Sequence, residues 1–202
     1  MTTFYFVRHA DKENGDFYNP RLRHQDQPIS QKGQLQAQKL VAYFSEISIS
    51  MIYTSEYLRT GQTIQYAAQA HQLRPIVDAR LNEIDNGPVE GLTDEELREK
   101  YPEIWDGFHR RSADFRFPEG ETGVEAQNRV VDFLEEKRRE YSAGNIIVVG
   151  HDGLIRLLVC YLMGIPVYKR WNFQADTCGI TEITYEPEFK TWKLIRFNQI
   201  VS

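Results

Sequence analysis

Near the start of the chain, Arg8 and His9 directly follow the strand-forming run Thr3-Phe4-Tyr5-Phe6-Val7. A guanidinium is a planar, permanently charged fork that matches the oxygens of a phosphoryl or carboxylate group. A neutral imidazole is a competent nucleophile and proton carrier. A basic pair just past a buried strand is poorly placed for packing. It is well placed for a ligand, because sites in open α/β sheets form beyond the carboxyl ends of parallel strands. Taken alone, the pair reads equally well as a strand end whose basic residues reach solvent.

The same arrangement recurs downstream. Met51-Ile52-Tyr53 reads as a strand ending at Thr54-Ser55, with Arg59 in the first turn of the segment that follows. Ile146-Ile147-Val148-Val149 is a buried strand by composition and leads into Gly150-His151-Asp152-Gly153. A further candidate strand, Pro75-Ile76-Val77, precedes a loop rich in acids and glycine, Leu81 to Gly91, that carries Glu83. With these strands side by side, Arg8, His9, Arg59, Glu83 and His151 meet at one edge of the sheet. Two guanidiniums, two imidazoles and a carboxyl suit phosphoryl transfer: binding of the phosphoryl oxygens, attack at phosphorus and protonation of the leaving oxygen.

The remaining elements predict the frame that positions this set. Ser30 reads as an N-cap for a helix whose apolar face is Ala37, Leu40, Val41 and Phe44. Glu56 to about Gln72 reads as a second helix, with Thr60, Ile64, Ala67, Ala68 and His71 along one side. Thr93 caps a helix opening with Asp94-Glu95-Glu96, and Thr122 with Glu125 has capping-box spacing ahead of a helix burying Val130, Val131 and Leu134. Leu154 to Met163 is an apolar helix, with Cys160 read as a small core residue. Gly179–Tyr185 and Thr191–Phe197 read as two closing strands joined by a turn. Between Tyr101 and Gly120 the pattern is irregular and aromatic, with Arg110, Arg111 and Arg116 interspersed. The expectation is an α/β fold, a three-layer α/β/α sandwich with a largely parallel central sheet. It forms one domain over residues 1–202 with a cap or insertion at about 94–121.

Composition narrows the function classes. A net charge of −5 over 202 residues argues against a general nucleic-acid binder, which needs a broad basic footprint, though not against a small basic pocket. No segment approaches the roughly 20 apolar residues that span a bilayer, and no signal-peptide pattern opens the chain. Cys160 and Cys178 are far apart. The five histidines show no metal-ligand spacing, so no metal or cofactor is expected. A cytoplasmic setting, no membrane and a small phosphorylated metabolite as partner follow as expectations. The absence of heptads leaves the oligomeric state open, a homodimer included.

The chain resembles the histidine phosphatase superfamily, the phosphoglycerate-mutase-like proteins. The matching pieces occur in the family's order. They are Phe6-Val7-Arg8-His9, Pro28 to Ala37, Tyr53 to Thr60, Leu81 to Thr93, Pro118 to Thr122 and Val149 to Gly153. The resemblance implies that His9 is the nucleophile and forms a transient phosphohistidine. It further implies that Arg8, Arg59 and His151 bind the phosphoryl group, and that Glu83 is general acid and then base. Asp152 is the rival acid, because one branch uses an aspartate after the second histidine. Ala10 stands where the family has glycine, and Asp11-Lys12-Glu13-Asn14-Gly15 replaces the usual phosphate-contacting residues, leaving Lys12 or Asn14 to make that contact. The implied activity is metal-independent hydrolysis of a small phosphomonoester. The alternatives are a phosphoglycerate mutase, which the short span between Glu83 and His151 disfavours, and a non-catalytic phospholigand-binding regulatory module.

Overall fold

Residues 1–201 are described by a computed structural model. In chain order the elements are β1 (Thr2–Arg8), a small hairpin of β2 (Tyr18–Asn19) and β3 (His24–Gln25), α1 (Gln31–Phe44), β4 (Ile49–Thr54), α2 (Leu58–Ala70), β5 (Ile76–Val77), α3 (Asp94–Lys100), α4 (Pro102–Arg110), α5 (Gly123–Glu140), β6 (Gly144–Gly150), α6 (Asp152–Leu162), β7 (Ile180–Glu186) and β8 (Thr191–Gln199). Six strands form one sheet in the order β5-β4-β6-β1-β7-β8. The first four are mutually parallel, and β7 and β8 are added antiparallel as a hairpin.

The alternation of side chains along the strands sets the layers. Tyr5 and Val7 of β1 and Ile147 and Val149 of β6 pack with Ala37, Leu40 and Phe44 of α1 and Ile64 and Ala67 of α2. Phe4, Phe6, Ile146 and Val148 face the other way, onto Val130, Phe133 and Leu134 of α5 and Leu154, Ile155 and Leu158 of α6. The result is the expected α/β/α sandwich. Fully buried aromatic and aliphatic side chains such as Phe4, Phe133 and Leu134 each contribute about 2 kcal/mol relative to exposure.

Three local expectations need correction. The Tyr101–Gly120 stretch is not irregular throughout, because it contains α4, opened by Pro102 at its first position, where the missing N–H costs nothing. Ile104 of α4 joins Leu97 of α3, Phe117, Ala126 and Leu157 in a third apolar cluster. On α5 the buried residue beside Val130 and Leu134 is Phe133, whereas Val131 is only half-buried. Helix α2 starts at Leu58 rather than Glu56, since Tyr57 is extended and serves as its N-cap.

The register of the parallel strands delivers the polar ends to one place. Arg8 is opposite Gly150 and Thr54 is opposite Val149, so the residues following β1, β4 and β6 leave the sheet at one level. Helix α1 holds the loop after His9 from below. The Ser30 hydroxyl accepts from the Gly33 N–H at 3.0 Å and donates to Asp11 Oδ2 at 2.6 Å. A Cβ on Gly33 would sit 2.1 Å from the Asp11 carbonyl oxygen, so only glycine permits this approach.

Candidate active site

His9 leaves β1 with its backbone N–H on the Gly150 carbonyl at 2.9 Å, and its ring is 6% exposed. Nδ1 lies 2.8 Å from the Ala10 carbonyl oxygen, which only accepts, so Nδ1 carries the proton and Nε2 keeps the free lone pair. Burial, reinforced by the Arg59 and Arg8 charges, pushes His9 down to about 3. The imidazole is therefore neutral across the physiological range, with its nucleophilic nitrogen fixed by the other one. Ala10 is fully buried, with its N–H on Thr63 Oγ1 at 2.8 Å.

His151 follows β6 and is completely buried, its ring centroid 5.3 Å from that of His9. Its Nδ1 is 3.2 Å from Arg59 Nη2 and its Nε2 is 2.9 Å from Ser55 Oγ. Burial, then the Arg59 and His9 charges, hold it well below the ordinary histidine range. Arg59, in the first turn of α2, is 4% exposed, with its guanidinium 4.2 Å above the Tyr57 ring. Burial pushes it down, and among the charges around it Glu83 opposes this most. Arg8 donates Nη1 to the Ala175 carbonyl at 2.6 Å. The Nε atoms of both Arg8 and Arg59 are buried and have no hydrogen-bond partner in the protein. Buried guanidinium N–H groups left open in this way fit an oxyanion.

Glu83 projects from the loop after a short 3-10 turn (Ala79–Leu81) onto the N-terminus of α6. Its Oε1 accepts from the N–H groups of Ile84 at 2.9 Å and Leu154 at 3.2 Å, and Oε2 accepts from that of Gly153 at 3.2 Å. A Cβ on Gly153 would stand 2.7 Å from Oε1, so glycine is what lets the carboxylate reach the helix end. A carboxylate has about four acceptor positions. Three are used, and one is left for a reacting proton.

The rival acid is engaged elsewhere. Asp152 pairs with Arg156 one turn along α6 and accepts from the Ala175 N–H at 3.3 Å. Lys12 donates to Gln27 Oε1 at 3.1 Å, and partial desolvation followed by the Arg59 charge holds its ammonium below the ordinary lysine range, which puts it in the field of the cluster. Asn14 is exposed, and none of the contacts that join the cluster runs through it. Arg8, His9, Arg59, Glu83 and His151 thus come together, Lys12 stands nearby and Asn14 stands apart.

Several supporting residues were not legible as such. Arg129 of α5 donates to the Glu83 carbonyl at 3.0 Å and the Arg80 carbonyl at 2.7 Å, and forms a bidentate pair with Glu121. Glu121 also accepts from the Asp85 N–H, so the loop carrying Glu83 is gripped on both sides of that residue. Asn82 exchanges two hydrogen bonds of 2.9 Å with Glu56, tying the same loop to the exit of β4. Glu121 falls within a motif segment, but Arg129 looks like any polar-face helical arginine. His24 of the β2–β3 hairpin sits between Asp85, at 3.2 Å, and Glu90, at 2.9 Å. The Glu90 hydrogen bond and charge raise it above the ordinary histidine range against the cost of burial. Among the described residues no group of three or more His, Cys, Asp or Glu is placed to hold a metal ion, and no helix is long and apolar enough to cross a membrane.

Residues 4–199 match the family model of the histidine phosphatase superfamily, branch 1. Phosphoserine phosphatase 1 of Hydrogenobacter thermophilus is 34% identical over 189 residues, covering 92% of this chain and 88% of that one. GpmB of Shigella dysenteriae, which carries the name probable phosphoglycerate mutase, is 29% identical over 92% of this chain and 86% of its own. The solved structure of Bacillus stearothermophilus YhfR superposes with a TM-score of 0.83 at 24% identity, covering 100% of this chain and 98% of that one. The fold, the ordered motifs and the near-complete match agree, and this chain belongs to branch 1 of the histidine phosphatase superfamily.

Proposed function

We propose that this chain is a phosphomonoesterase that hydrolyses a small phosphorylated metabolite in two steps through a phosphohistidine at His9, without a metal or cofactor. The observation that carries the reading is the fixed His9 tautomer, neutral with Nε2 free, beside the buried Arg59 and the half-buried Arg8, whose Nε atoms lack partners in the protein. The phosphoryl oxygens dock on Arg8, Arg59 and His151, with Lys12 adding charge at the rim. The Nε2 lone pair forms the N–P bond as the bond from phosphorus to the leaving oxygen breaks, and Glu83 delivers a proton to that oxygen. Water then attacks the phosphohistidine, Glu83 takes the water's proton, the P–N bond breaks and inorganic phosphate leaves.

His151 adds a condition. In the free protein its Nδ1 is a lone pair facing Arg59, so it donates to a phosphoryl oxygen only after gaining a proton. A bound dianion supplies the charge that favours the imidazolium, so binding and proton uptake go together.

A named relative is a phosphoserine phosphatase and another a probable phosphoglycerate mutase. Hydrolysis is preferred here because α3 and α4, with their short connections, are the only α-helices between Glu83 and the start of α5 among the described residues. A mutase has to retain and reorient a bisphosphorylated intermediate. Incubation with 3-phosphoglycerate, with and without a 2,3-bisphosphoglycerate primer, tests the choice. Phosphate release without isomerisation is expected, and rapid primer-dependent isomerisation without release overturns it. The non-catalytic alternative is tested by turnover of p-nitrophenyl phosphate by the purified protein, for which a measurable rate is expected.

A further inference from the structure

The fastening of the His9 ring continues through the backbone. His9 Nδ1 donates to the Ala10 carbonyl, and that carbonyl shares its peptide with the N–H of Asp11. A planar peptide turns as a unit, so whatever holds the Asp11 N–H also aims the Ala10 oxygen. The holder is Gln36 of α1, whose Oε1 accepts from the Asp11 N–H at 2.9 Å. Gln36 lies three residues after Gly33, on the same face of the helix. The close approach that Gly33 permits to the Asp11 carbonyl thus brings Gln36 within reach of the same residue.

The neighbouring peptides have other holders. The Ala10 N–H donates to Thr63 Oγ1 at 2.8 Å, and that hydroxyl donates on to the Arg59 carbonyl at 2.7 Å. The Asp11 carbonyl accepts from the Ser30 N–H at 2.9 Å. Neither bond is made by the peptide that bears the ring's acceptor, and Gln36 is what grips that one. The orientation of its amide follows from the N–H it faces, since only Oε1 can accept. Nε2 then donates to Thr177 Oγ1 at 2.9 Å. Thr177 lies in the segment Ala175–Gly179, which holds Arg8 by side chain and backbone. The Ala175 carbonyl accepts from Arg8 Nη1 at 2.6 Å, the Cys178 N–H donates to the Arg8 carbonyl at 3.0 Å, and the Gly179 carbonyl accepts from the Arg8 N–H at 3.2 Å. One half-buried amide therefore joins the peptide that orients His9 to the segment that holds Arg8.

We propose that Gln36 is a positioning residue for the nucleophile. It fixes the Ala10–Asp11 peptide so that His9 keeps its proton on Nδ1 and presents Nε2 to phosphorus, a role that rests on the phosphohistidine reading above. Geometry and polarity act in the same direction. A carbonyl whose peptide N–H is already hydrogen-bonded is a stronger acceptor, because groups in a chain of hydrogen bonds polarise one another. With Gln36 in place the proton is drawn to Nδ1 and the lone pair stays on Nε2. Without it the peptide is free to turn, the Ala10 oxygen leaves the line of the Nδ1–H, and the other tautomer becomes populated. That tautomer carries its proton on Nε2 and has no lone pair there to attack with.

The test uses three variants. Gln36→Met removes the acceptor. Gln36→Glu keeps an acceptor for the Asp11 N–H and can accept from the Thr177 hydroxyl in place of donating to it. Gln62→Met is the control, because Gln62 of α2 also accepts a loop N–H, that of Ile29 at 2.9 Å, on a peptide that does not bear the His9 acceptor. Long-range proton–nitrogen NMR of the His9 ring reads the tautomer, and kcat and KM are measured on an alkyl phosphate. The wild type should show one tautomer, protonated on Nδ1. Gln36→Met should show a mixture, with kcat lower by on the order of tenfold, as for one lost hydrogen bond, and KM little changed. Gln36→Glu should recover most of both, and Gln62→Met should resemble the wild type in both. Should Gln36→Met fail to fold, Gln36→Asn, one carbon too short to reach Asp11, takes its place. A wild-type ring protonated on Nε2, an unaltered ring spectrum or kcat in the Gln36 variant, or an equal response in Gln62→Met overturns the role. If no phosphomonoester is turned over, it is the phosphatase reading that fails, and the ring spectra alone then decide whether Gln36 sets the tautomer.

Discussion

The hydrogen bond between Arg59 Nη2 and His151 Nδ1, 3.2 Å long, decides where His151 keeps its proton. A guanidinium has no acceptor, so Nδ1 is the lone pair and Nε2 carries the hydrogen, which goes to Ser55 Oγ at 2.9 Å. Ser55 Oγ also accepts from the Tyr57 N–H, which leaves its own proton for Thr60 Oγ1 at 3.1 Å. Thr60 in turn donates to the Tyr57 carbonyl at 2.8 Å. The chain of donors has one consistent direction, and all its side chains are buried.

Ser55→Ala removes the acceptor from a buried imidazole N–H. The expected cost is about 1–3 kcal/mol of stability, with a loss of phosphate affinity as His151 loses its orientation. Chemical denaturation and phosphate titration measure both. A variant as stable as the wild type with unchanged phosphate affinity would show that the tautomer does not matter.

Glu83 and Asp152 can be told apart. Glu83→Gln should lower kcat on p-nitrophenyl phosphate less than on an alkyl phosphate, because an aryl leaving group needs less protonation, with a loss on the order of 10²–10³-fold for the alkyl ester. Asp152→Asn should cost much less on either, as its carboxylate is committed to Arg156 and Ala175. The reverse ranking on the alkyl ester would reassign the acid.

Arg129→Met tests the support of the Glu83 loop. Arg129 holds the Glu83 carbonyl and pairs with Glu121. The expected result is a fall in kcat with little change in KM, partly rescued by Arg129→Lys. A rise in KM alone would place Arg129 in ground-state binding instead.

Two pH effects have opposite signs. His9 and His151 are held neutral in the folded protein, His9 down at about 3, while the unfolded chain titrates near 6.5. The unfolded state therefore binds more protons below about pH 6.5, and stability should fall progressively from there toward acid. His24 is raised by Glu90, so its clasp is fully present below the unfolded value and is lost as pH rises through the higher folded one. Amide protection factors in residues 16–26, corrected for the intrinsic pH dependence of exchange, should fall over that alkaline shift, and His24→Gln should abolish the change. Protection factors that stay constant with pH in the wild type would show that His24 is no clasp.

Arg8, His9 and His151 were readable because they follow strands whose hydrophobic pattern is plain, with Val7 before Arg8-His9 and Val149 before Gly150-His151, whereas Glu83, well past the two exposed residues of β5, was legible only through the family motif. The sheet order was not local information: that the strands lie side by side was assumed, and it is the parallel pairing of β1 with the distant β6 that brings Gly150 opposite Arg8. Helix α4 was missed because its short apolar face, Ile104 with the aromatics Trp105 and Phe108, lies near a proline and a glycine that imitate a loop. Arg129 was invisible for another reason. Its role depends on backbone carbonyls contributed by distant segments, and no local spacing encodes those. The Asp11–Gly15 replacement loop was divided by the fold, with Lys12 turned toward the arginines and Asn14 toward solvent.

In the proposed reaction His9 Nε2 becomes covalently phosphorylated during turnover. Rapid mixing of enzyme and substrate, an alkaline quench that preserves phosphohistidine, and mass spectrometry of the peptide containing His9 test it most directly. The expected result is one added phosphoryl group on His9, formed within the first turnover and missing in His9→Ala, which should also lose p-nitrophenyl phosphate turnover. A label on another residue, or His9→Ala turning over substrate at the wild-type rate, would contradict it.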